Sequence, residues 1–438
     1  MEFFDTVFAG GGLSCLSAAS GLRGDFLLCE REERVGGLCR TDRTGGFAFD
    51  RTGHLLHLQN PAVRSRVERL LARNLRKLRR DAWIYSHGVF TRYPFQENFF
   101  GLPPEVAAEC LLGLFAARRK ARRSRGRGDG RVDFARWAVR QFGPGVARHF
   151  LLPYNRKLWC VSPSSLTTEW LGRFVPRPDL RAAVLGTVSD RPSPAGYNAS
   201  FFYPRRGGIE ALVRALARAI PPRRIRTGLG VEAIDLRHRR LRLSDGSEIG
   251  FGRLVSCLPL SELARRTAGL PPALAREAAR LRCASVYNLN LGIRGQPPHR
   301  RHWVYLPEDR FALYRFGYSS HFAADAAPPG CSNVYTELAY RGRPPDPAAL
   351  RRRVLSDLRA IGVIRSERDV LAEKAFDIPF AYCIHDRHRK RAVRRLLRYF
   401  ESREVYSIGR YGRWEYSSME DAILQGLELA RLLSGRRS

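Results

Sequence analysis

A glycine-rich segment near the start of the chain places the strongest constraint on its fold. The apolar residues Val7–Ala9 lead directly into Gly10–Gly12, and a helical pattern begins at Leu13. A second apolar run, Leu27–Cys29, ends at the acidic residue Glu30. This order predicts a buried strand, a glycine turn, a helix and a second strand, which together form the β-α-β unit that binds a dinucleotide.

The same residues indicate how a dinucleotide would be held. Gly10 permits the tight turn, and Gly12 allows a pyrophosphate to approach the unpaired N–H groups at the helix start, where the helix dipole favours negative charge. Glu30 follows the glycines by about twenty residues, the spacing at which a carboxylate binds a ribose hydroxyl. Cys15 replaces the third glycine of the usual pattern, and a turn of ordinary glycines is the alternative that this pattern alone leaves open. The residues expected at the cofactor from this segment are Gly10, Gly12, Leu13, Ser14, Glu30 and Arg31.

A second pair of glycines follows in Arg34–Thr41 (RVGGLCRT), where it suits a cofactor whose larger second half also approaches the backbone closely. The two glycine clusters together resemble the FAD-binding N-terminus of the superfamily that contains amine oxidases, protoporphyrinogen oxidases and UDP-galactopyranose mutases. The resemblance implies FAD as the cofactor and adds Gly37 and Leu38 to its contacts. It also implies an α/β fold (α+β overall), with a Rossmann-like FAD-binding domain, an interleaved helical insertion and an antiparallel substrate-domain sheet.

The charge of the chain admits several partners. The 438 residues, 44% of them hydrophobic, supply the cores of about two or three domains. The formal net charge of +34 would suit nucleic acid, an anionic membrane or an anionic substrate. Arginine supplies most of this charge along the whole chain, which indicates a compositional bias. Because no recognised nucleic-acid-binding module accompanies the charge, we expect no nucleic-acid partner.

The sequence gives little support for a membrane-spanning segment or a metal site. No apolar run reaches the roughly 18–20 residues of a membrane span, and the first residues form the cofactor strand instead of a signal peptide, so we expect a cytoplasmic location. The basic run Arg118–Arg131 follows the apolar stretch Val106–Ala117 and is typical of a solvated loop, with a peripheral membrane contact as the alternative. The nine cysteines are scattered without a CxxC pair, so we expect no metal site.

Two histidines three residues apart lie in the segment Thr52–His57 (TGHLLH). Without a third ligand nearby, this spacing does not predict a metal site. The segment is similar to the Gly-Pro-His-x-x-His segment that the mutases carry beside the flavin, although the proline is missing here. The resemblance implies that Gly53 and His54 contact the flavin and that His54 and His57 belong to the catalytic machinery.

The segment Pro153–Arg177 carries aromatic and basic residues in an order that resembles the uridine-binding segment of the mutases. The chemistry is apt, because an indole can stack on a base and a guanidinium can bind phosphate. A buried tryptophan with surface basic residues is the alternative. The resemblance implies a substrate-binding set of Tyr154, Lys157, Trp159, Arg173 and Arg177, in which Tyr154, Lys157 and Trp159 hold the uridine and Arg177 faces the diphosphate.

Two later segments complete the resemblance. Arg315 loosely matches the second phosphate-binding arginine of the mutases, and Tyr382 matches a tyrosine that could bond a phosphate oxygen, with Cys383 in place of the family's proline. Near the C-terminus a strand, a glycine and a helix are predicted in the order of the family's flavin motif. In that motif Gly409, Arg410, Tyr416 and Met419 match, whereas Ser418 stands where the family has aspartate. The implied catalytic residues are His54, His57, Arg177, Arg315, Tyr382 and Tyr416, and the implied flavin contacts here are Gly409, Arg410, Ser418 and Met419.

The resemblance divides the chain into FAD-binding parts at 1–100, 201–270 and 386–438, a mainly helical part at 101–200 and a substrate-domain sheet at 271–385. It implies a mutase that interconverts the pyranose and furanose forms of a nucleotide sugar through an adduct at N5 of reduced flavin, with an external flavin reductant. The alternative is an FAD-dependent oxidase of the amine or protoporphyrinogen type. A homo-oligomer is left open.

Overall fold

The computed structural model describes the chain except for residues 124–131, 173, 177, 178, 192–198, 298 and 436–438, and for residues 122 and 123 it describes the backbone alone. The strands in chain order are β1 (Glu2–Ala9), β2 (Phe26–Cys29), β3 (Thr41–Thr44), β4 (Phe47–Asp50), β5 (Leu75–Arg79), β6 (Ala82–Ser86), β7 (Val89–Arg92), β8 (Ser200–Pro204), β9 (Ile225–Arg226), β10 (Val231–Asp235), β11 (Arg240–Leu243), β12 (Glu248–Ser256), β13 (Cys283–Arg294), β14 (Trp303–Tyr305), β15 (Arg315–Tyr318), β16 (Cys331–Tyr340), β17 (Val370–Cys383) and β18 (Val405–Ser407). The helices in chain order are α1 (Leu13–Ala19), α2 (Pro61–Leu71), α3 (Pro104–Arg123), α4 (Phe134–Val146), α5 (Leu152–Trp159), α6 (Leu180–Val188), α7 (Glu210–Arg218), α8 (Leu260–Arg266), α9 (Pro272–Ala279), α10 (Pro347–Ala360), α11 (Arg389–Glu401), α12 (Gly409–Gly412) and α13 (Met419–Gly435).

The first sheet is the cofactor sheet that the glycine pattern predicts. Its order is β10-β11-β12-β1-β2-β9, and β18 pairs with β12. The pairs of β1 with β12 and β2, and of β12 with β18, are parallel, whereas β10, β11 and β12 form an antiparallel meander. Val7, Phe8 and Ala9 have no exposure, as expected for a parallel strand covered on both faces.

The second sheet lies beside the first and has the order β17-β13-β16-β15-β14-β6-β7. All its neighbouring strands are antiparallel except β14 and β6. The pair β6 and β7 comes from residues 82–92. These residues fall within the range 1–100 that is predicted to belong to the FAD-binding domain. The helices α3 to α6 form the insertion, which lies between β7 and β8 in chain order. The predicted fold class is therefore confirmed.

The core follows from the alternation of side chains along the strands. Phe8 belongs to an apolar cluster that continues through α1 and α13 into the helical insertion, whereas its neighbour Val7 packs on the opposite face of β1 against α8, α9 and α11. A third cluster joins the second sheet to α10. The two sheets and the insertion thus meet in the first of these three clusters.

The helix α3 contains the apolar stretch Val106–Ala117, for which a peripheral membrane contact is the alternative prediction. On α3, Leu112 is 68% exposed and Phe115 is 44% exposed. The basic run Arg118–Arg131 begins inside α3, so residues 118–123 are helical and do not form the predicted loop. Residues 124–131 lie outside the described residues. Among the helices that the structure describes, none is long and apolar enough to cross a membrane.

Candidate active site

A cavity of about 700 Å³ opens between the cofactor sheet, the second sheet and the helical insertion. The glycine turn after β1 lies at one end, and aromatic side chains from α5, β14, β15 and β17 line the other. All the residues predicted to bind the cofactor line this cavity. They are Gly10, Gly12, Leu13, Ser14, Glu30, Arg31, Gly37, Leu38, Gly53, His54, Gly409, Arg410, Ser418 and Met419.

The glycine turn is shaped for a close backbone approach. Gly10 has a φ of +96°, and a Cβ atom there would lie 2.8 Å from Sγ of Cys257. Gly12 is the N-cap of α1, and no described side chain caps its N–H groups. Gly37 has a φ of +56°, and a Cβ atom there would lie 3.6 Å from Cα of Gly12. The two glycine clusters therefore meet and leave helix N–H groups facing the cavity.

Glu30 fixes the edge of this turn. Its carboxylate accepts a hydrogen bond from the N–H of Gly11 at 2.7 Å and another from the N–H of Glu32 at 2.9 Å. The side chain is buried against the cavity at the end of β2. This is the position at which an acid can bind a ribose hydroxyl, so the residues present fit a dinucleotide.

The segment that carries the two histidines is tied to the second sheet. The N–H of Thr52 donates to Oδ1 of Asn288 at 2.9 Å, and the N–H of Gly53 donates to Oε1 of Glu337 at 3.3 Å. Burial lowers the pKa of His54 to about 4, so its imidazole is neutral at pH 7. His57 also lines the cavity, and its Nδ1 lies 3.3 Å from the carbonyl oxygen of Ser200.

The structure describes only one of the three arginines that are predicted to bind the substrate. Arg315 lines the cavity on β15 and forms a two-pronged ion pair with Glu337, with N–O distances of 2.8 and 2.7 Å. Glu337 itself has no exposure. Arg173 and Arg177 lie outside the described residues. The described part of the chain therefore contains one of the arginines predicted to bind the substrate, and this arginine already has a carboxylate partner.

Arg410 lies beside two of the predicted tyrosines, whose rings stack on each other at a centroid distance of 6.1 Å. Its guanidinium carbon lies 5.3 Å from the ring centroid of Tyr382 and 4.9 Å from that of Tyr416. It also donates to the carbonyl oxygens of Ser417 and Ala381 at 2.7 and 3.1 Å. The hydroxyl of Tyr382 lies 3.3 Å from that of Tyr314, and burial raises the pKa of both phenols. These aromatic faces are thus already in contact with an internal cation.

Of the three predicted uridine-binding residues on α5, one lines the cavity. Tyr154 lines the cavity, with its ring stacked on Phe150 at a centroid distance of 5.4 Å. The structure does not bring Lys157 and Trp159 into the cavity. The ammonium of Lys157 donates to the carbonyl oxygens of Leu306, Glu308 and Leu313 at 2.7, 3.0 and 2.5 Å. Lys157 lies three residues after Tyr154 and therefore near the same face of α5, but these carbonyl groups hold its ammonium outside the cavity. Trp159, five residues after Tyr154, lies on another side of the helix.

Trp159 is nevertheless part of the wall behind the cavity. Its indole is fully buried and donates to Oδ1 of Asn155 at 3.1 Å. The ring centroid lies 5.7 Å from that of Tyr382 and 5.5 Å from that of Tyr416. The contacts therefore favour a supporting role for Trp159, in place of the base stacking that the resemblance implied.

Several lining residues were not singled out in the sequence. Among them are Trp170, Trp303 and Ser417. The indole nitrogens of the two tryptophans and the hydroxyl of Ser417 are buried without a hydrogen-bond partner among the described atoms. The sequence carried no signal for them, because aromatic residues in short apolar runs are equally typical of core strands. Within the described ranges, no group of three His, Cys, Asp or Glu side chains is placed to hold a metal ion.

Comparisons with known proteins agree with this geometry. A family model described as flavin containing amine oxidoreductase matches residues 13–434. The fold is similar to the crystal structure of a reduced UDP-galactopyranose mutase, with 26% identity, a TM-score of 0.90, and coverage of 99% of this chain and 96% of that chain. A candidate protoporphyrinogen oxidase from Exiguobacterium sp. 255-15 is 15% identical with a TM-score of 0.74 (100% and 99% coverage). A putrescine oxidase with bound putrescine is 13% identical with a TM-score of 0.68 (99% coverage of both).

Proposed function

We propose a nucleotide-sugar mutase activity for this chain, which belongs to the family of flavin containing amine oxidoreductases and uses FAD as its cofactor. The observation that carries the proposal is the likeness to UDP-galactopyranose mutase, which extends over 99% of this chain at 26% identity. The oxidases are 13–15% identical, so their likeness supports the fold alone. The proposed reaction interconverts the pyranose and furanose forms of the sugar.

The residues of the cavity suit such a reaction. Reduced flavin would supply the nucleophile for the anomeric carbon of the sugar. Gly10 and Gly12 would receive the FAD pyrophosphate at the start of α1, and Glu30 would bind a ribose hydroxyl. Because His54 is neutral at pH 7, its imidazole can donate to or accept from the flavin without adding charge. The protein would therefore act mainly by binding and orientation.

The substrate would extend from the flavin along the aromatic wall. Tyr154 would offer its ring to the base, since Phe150 is already stacked between Tyr154 and Phe95. Arg315 offers guanidinium N–H groups to the diphosphate. The hydroxyls of Tyr382 and Tyr416 would orient the phosphate oxygens. We retain Arg177 and Arg173 as proposed ligands on the strength of the sequence resemblance.

An amine or porphyrinogen oxidase is the second candidate, because proteins of both kinds share the fold. The placement of Arg410 argues against an amine substrate at the tyrosine pair. Tyr382 and Tyr416 would be suitable faces for an ammonium ion, but the guanidinium of Arg410 already contacts both. A cationic substrate there would meet a like charge.

The experiment that tests the proposal is flavin difference spectroscopy on the purified holoprotein, oxidised or reduced with dithionite, during titration with UDP and UDP-galactopyranose. We expect a saturable spectral change with UDP and formation of the furanose isomer in the reduced state alone. The requirement for reduced flavin would imply an external reductant in the cell. A flavin that does not respond to either nucleotide, but is bleached by an amine or a porphyrinogen, would transfer the assignment to the oxidases.

A further inference from the structure

Glu337 is a buried acid that the resemblance did not single out and that no step above uses. It lies on β16 directly opposite Arg315 of β15 and directly opposite Asn288 of β13. Its side chain has no solvent exposure. A fully buried carboxylate persists only when charge and hydrogen bonds compensate it, so its partners define what it does.

The first partner is Arg315, which Glu337 engages along one edge of the guanidinium. Nε donates at 2.8 Å and Nη2 donates at 2.7 Å. An arginine has five N–H donors, so this pair leaves the two donors of Nη1 and one donor of Nη2 for other groups. Arg315 faces the cavity. It can therefore contact a ligand anion with its outer donors, while its net charge is already cancelled.

The second partner is the segment that carries the histidines. The same carboxylate accepts the N–H of Gly53 at 3.3 Å, and Asn288 beside it accepts the N–H of Thr52 at 2.9 Å. Glu337 thus joins Arg315 to the segment that bears His54. Loss of the carboxylate would leave Asn288 as an anchor of this segment, whereas the charge of Arg315 would be uncompensated.

We infer that Glu337 is a positioning residue that orients Arg315 and cancels its charge, so that the cavity binds a nucleoside diphosphate weakly enough to release it. The inference rests on the proposed function. A diphosphate that approaches Arg315 also approaches the Glu337 carboxylate, and this like-charge contact weakens binding. Such weakening has a use, because tight binding that substrate and transition state share does not raise the rate of the chemical step.

The test is the variant Glu337→Gln in the FAD-loaded protein, titrated with UDP and with inorganic pyrophosphate. Glutamine keeps the size of the side chain and removes its charge. We expect both anions to bind about tenfold more tightly than to the unsubstituted protein. The matched control is Glu373→Gln, which breaks the partly exposed pair between Glu373 on β17 of the same sheet and Arg351 on α10, outside the cavity. The control should leave both dissociation constants unchanged.

A second comparison keeps the test valid if Glu337→Gln does not fold with an uncompensated arginine. Arg315→Gln leaves the carboxylate unpaired, and the double variant Arg315→Gln/Glu337→Gln has no net charge at the pair. We expect the double variant to bind UDP and pyrophosphate at least tenfold more tightly than Arg315→Gln. A purely structural role for Glu337 would give no such recovery.

The outcomes separate this inference from the proposed function. Equal or weaker anion binding by Glu337→Gln, or by the double variant relative to Arg315→Gln, would overturn the inference. Pyrophosphate binding that tightens as expected, without any UDP response in any variant, would support the role of Glu337 and count against the nucleotide-sugar substrate. Absence of binding of either anion to every variant would remove both.

Discussion

At the scale of single residues, the aromatic wall is where the structure changes the expectation most. Tyr154 and Trp159 were both expected to hold the base, yet Tyr154 faces the cavity and Trp159 packs behind it. Tyr154→Ala should therefore weaken UDP binding by about 1–3 kcal/mol, the usual contribution of one stacked aromatic ring. Pyrophosphate affinity should not change, because that anion has no base.

Titration of the holoprotein with both ligands measures this difference. The matched control is Trp159→Phe, which keeps an aromatic ring in the second layer and should retain UDP affinity. A loss of UDP affinity that is larger in Trp159→Phe than in Tyr154→Ala would restore base stacking to the indole. An equal loss for UDP and pyrophosphate in Tyr154→Ala would exclude a contact with the base.

Lys157 is a second residue whose surroundings favour a structural role. Its ammonium donates to three carbonyl groups in the segment 306–313, so it joins α5 to the connection between β14 and β15. Lys157→Met leaves three acceptors without their donor. We expect the free energy of unfolding to fall by about 2–4 kcal/mol. Denaturant unfolding measures this loss, and an unchanged unfolding midpoint together with weakened UDP binding would return Lys157 to the substrate.

At the scale of secondary-structure elements, local signals in the sequence predicted the cofactor end correctly. The strand, glycine turn, helix and acidic strand end all lie within Glu2–Glu30, so short-range propensities agree with the long-range fold. By contrast, the amphipathic pattern that Pro61 opens predicts a helix over residues 61–80, whereas α2 ends at Leu71. Residues 75–79 form β5 instead, because they pair with β8, more than one hundred residues later in the chain. No local pattern contains that information.

The glycine turn allows a test at this scale. Gly10→Ala introduces a side chain at a φ of +96° and places Cβ within 2.8 Å of the Cys257 sulfur. The strain alone costs about 1–2 kcal/mol, and the clash displaces the turn that faces the cofactor. We expect purified Gly10→Ala to contain little FAD, measured as flavin absorbance per polypeptide.

Gly246 provides the matched control for the turn. It also has a positive φ, of +84°, but nothing lies within 4 Å of a Cβ atom built there. Gly246→Ala therefore carries the backbone strain without the clash at the cofactor. It should keep its FAD and lose only a small amount of stability. Full FAD content in Gly10→Ala would show that the cofactor does not rely on this turn.

At the scale of the whole molecule, the two ends of the cavity differ in how far the sequence could predict them. The cofactor end is built from short segments with fixed spacing, and every predicted residue there lines the cavity. The substrate end combines side chains from α5, the second sheet and the C-terminal segment. Which face of α5 is turned inward depends on packing, and the pairing of Arg315 with Glu337 depends on strand register. Neither is encoded in local sequence.

The distribution of buried titratable groups leads to a prediction for the whole molecule. Burial lowers the pKa of His54, His299 and His302 to about 4 and that of His385 to about 2. In the unfolded chain these groups take up protons near pH 6.5, so stability is lost as the pH falls below that value. Burial raises the pKa of Asp50 to about 6. Below pH 6 the folded protein therefore binds a proton on Asp50 that the unfolded chain does not yet bind, which opposes part of this loss of stability.

Between pH 6 and pH 5 the unfolded state therefore binds up to four protons on these histidines while the folded state binds one on Asp50. The difference of three protons predicts that the free energy of unfolding falls by about 4 kcal/mol per pH unit. His385 does not line the cavity, and its ring packs 6.1 Å from that of Trp159. His385→Phe should therefore lower the slope by about a third, because one proton of the three is removed, without loss of UDP binding. Urea unfolding at several pH values measures both slopes, and an unchanged slope in His385→Phe would mean that this buried histidine does not control the acid stability of the protein.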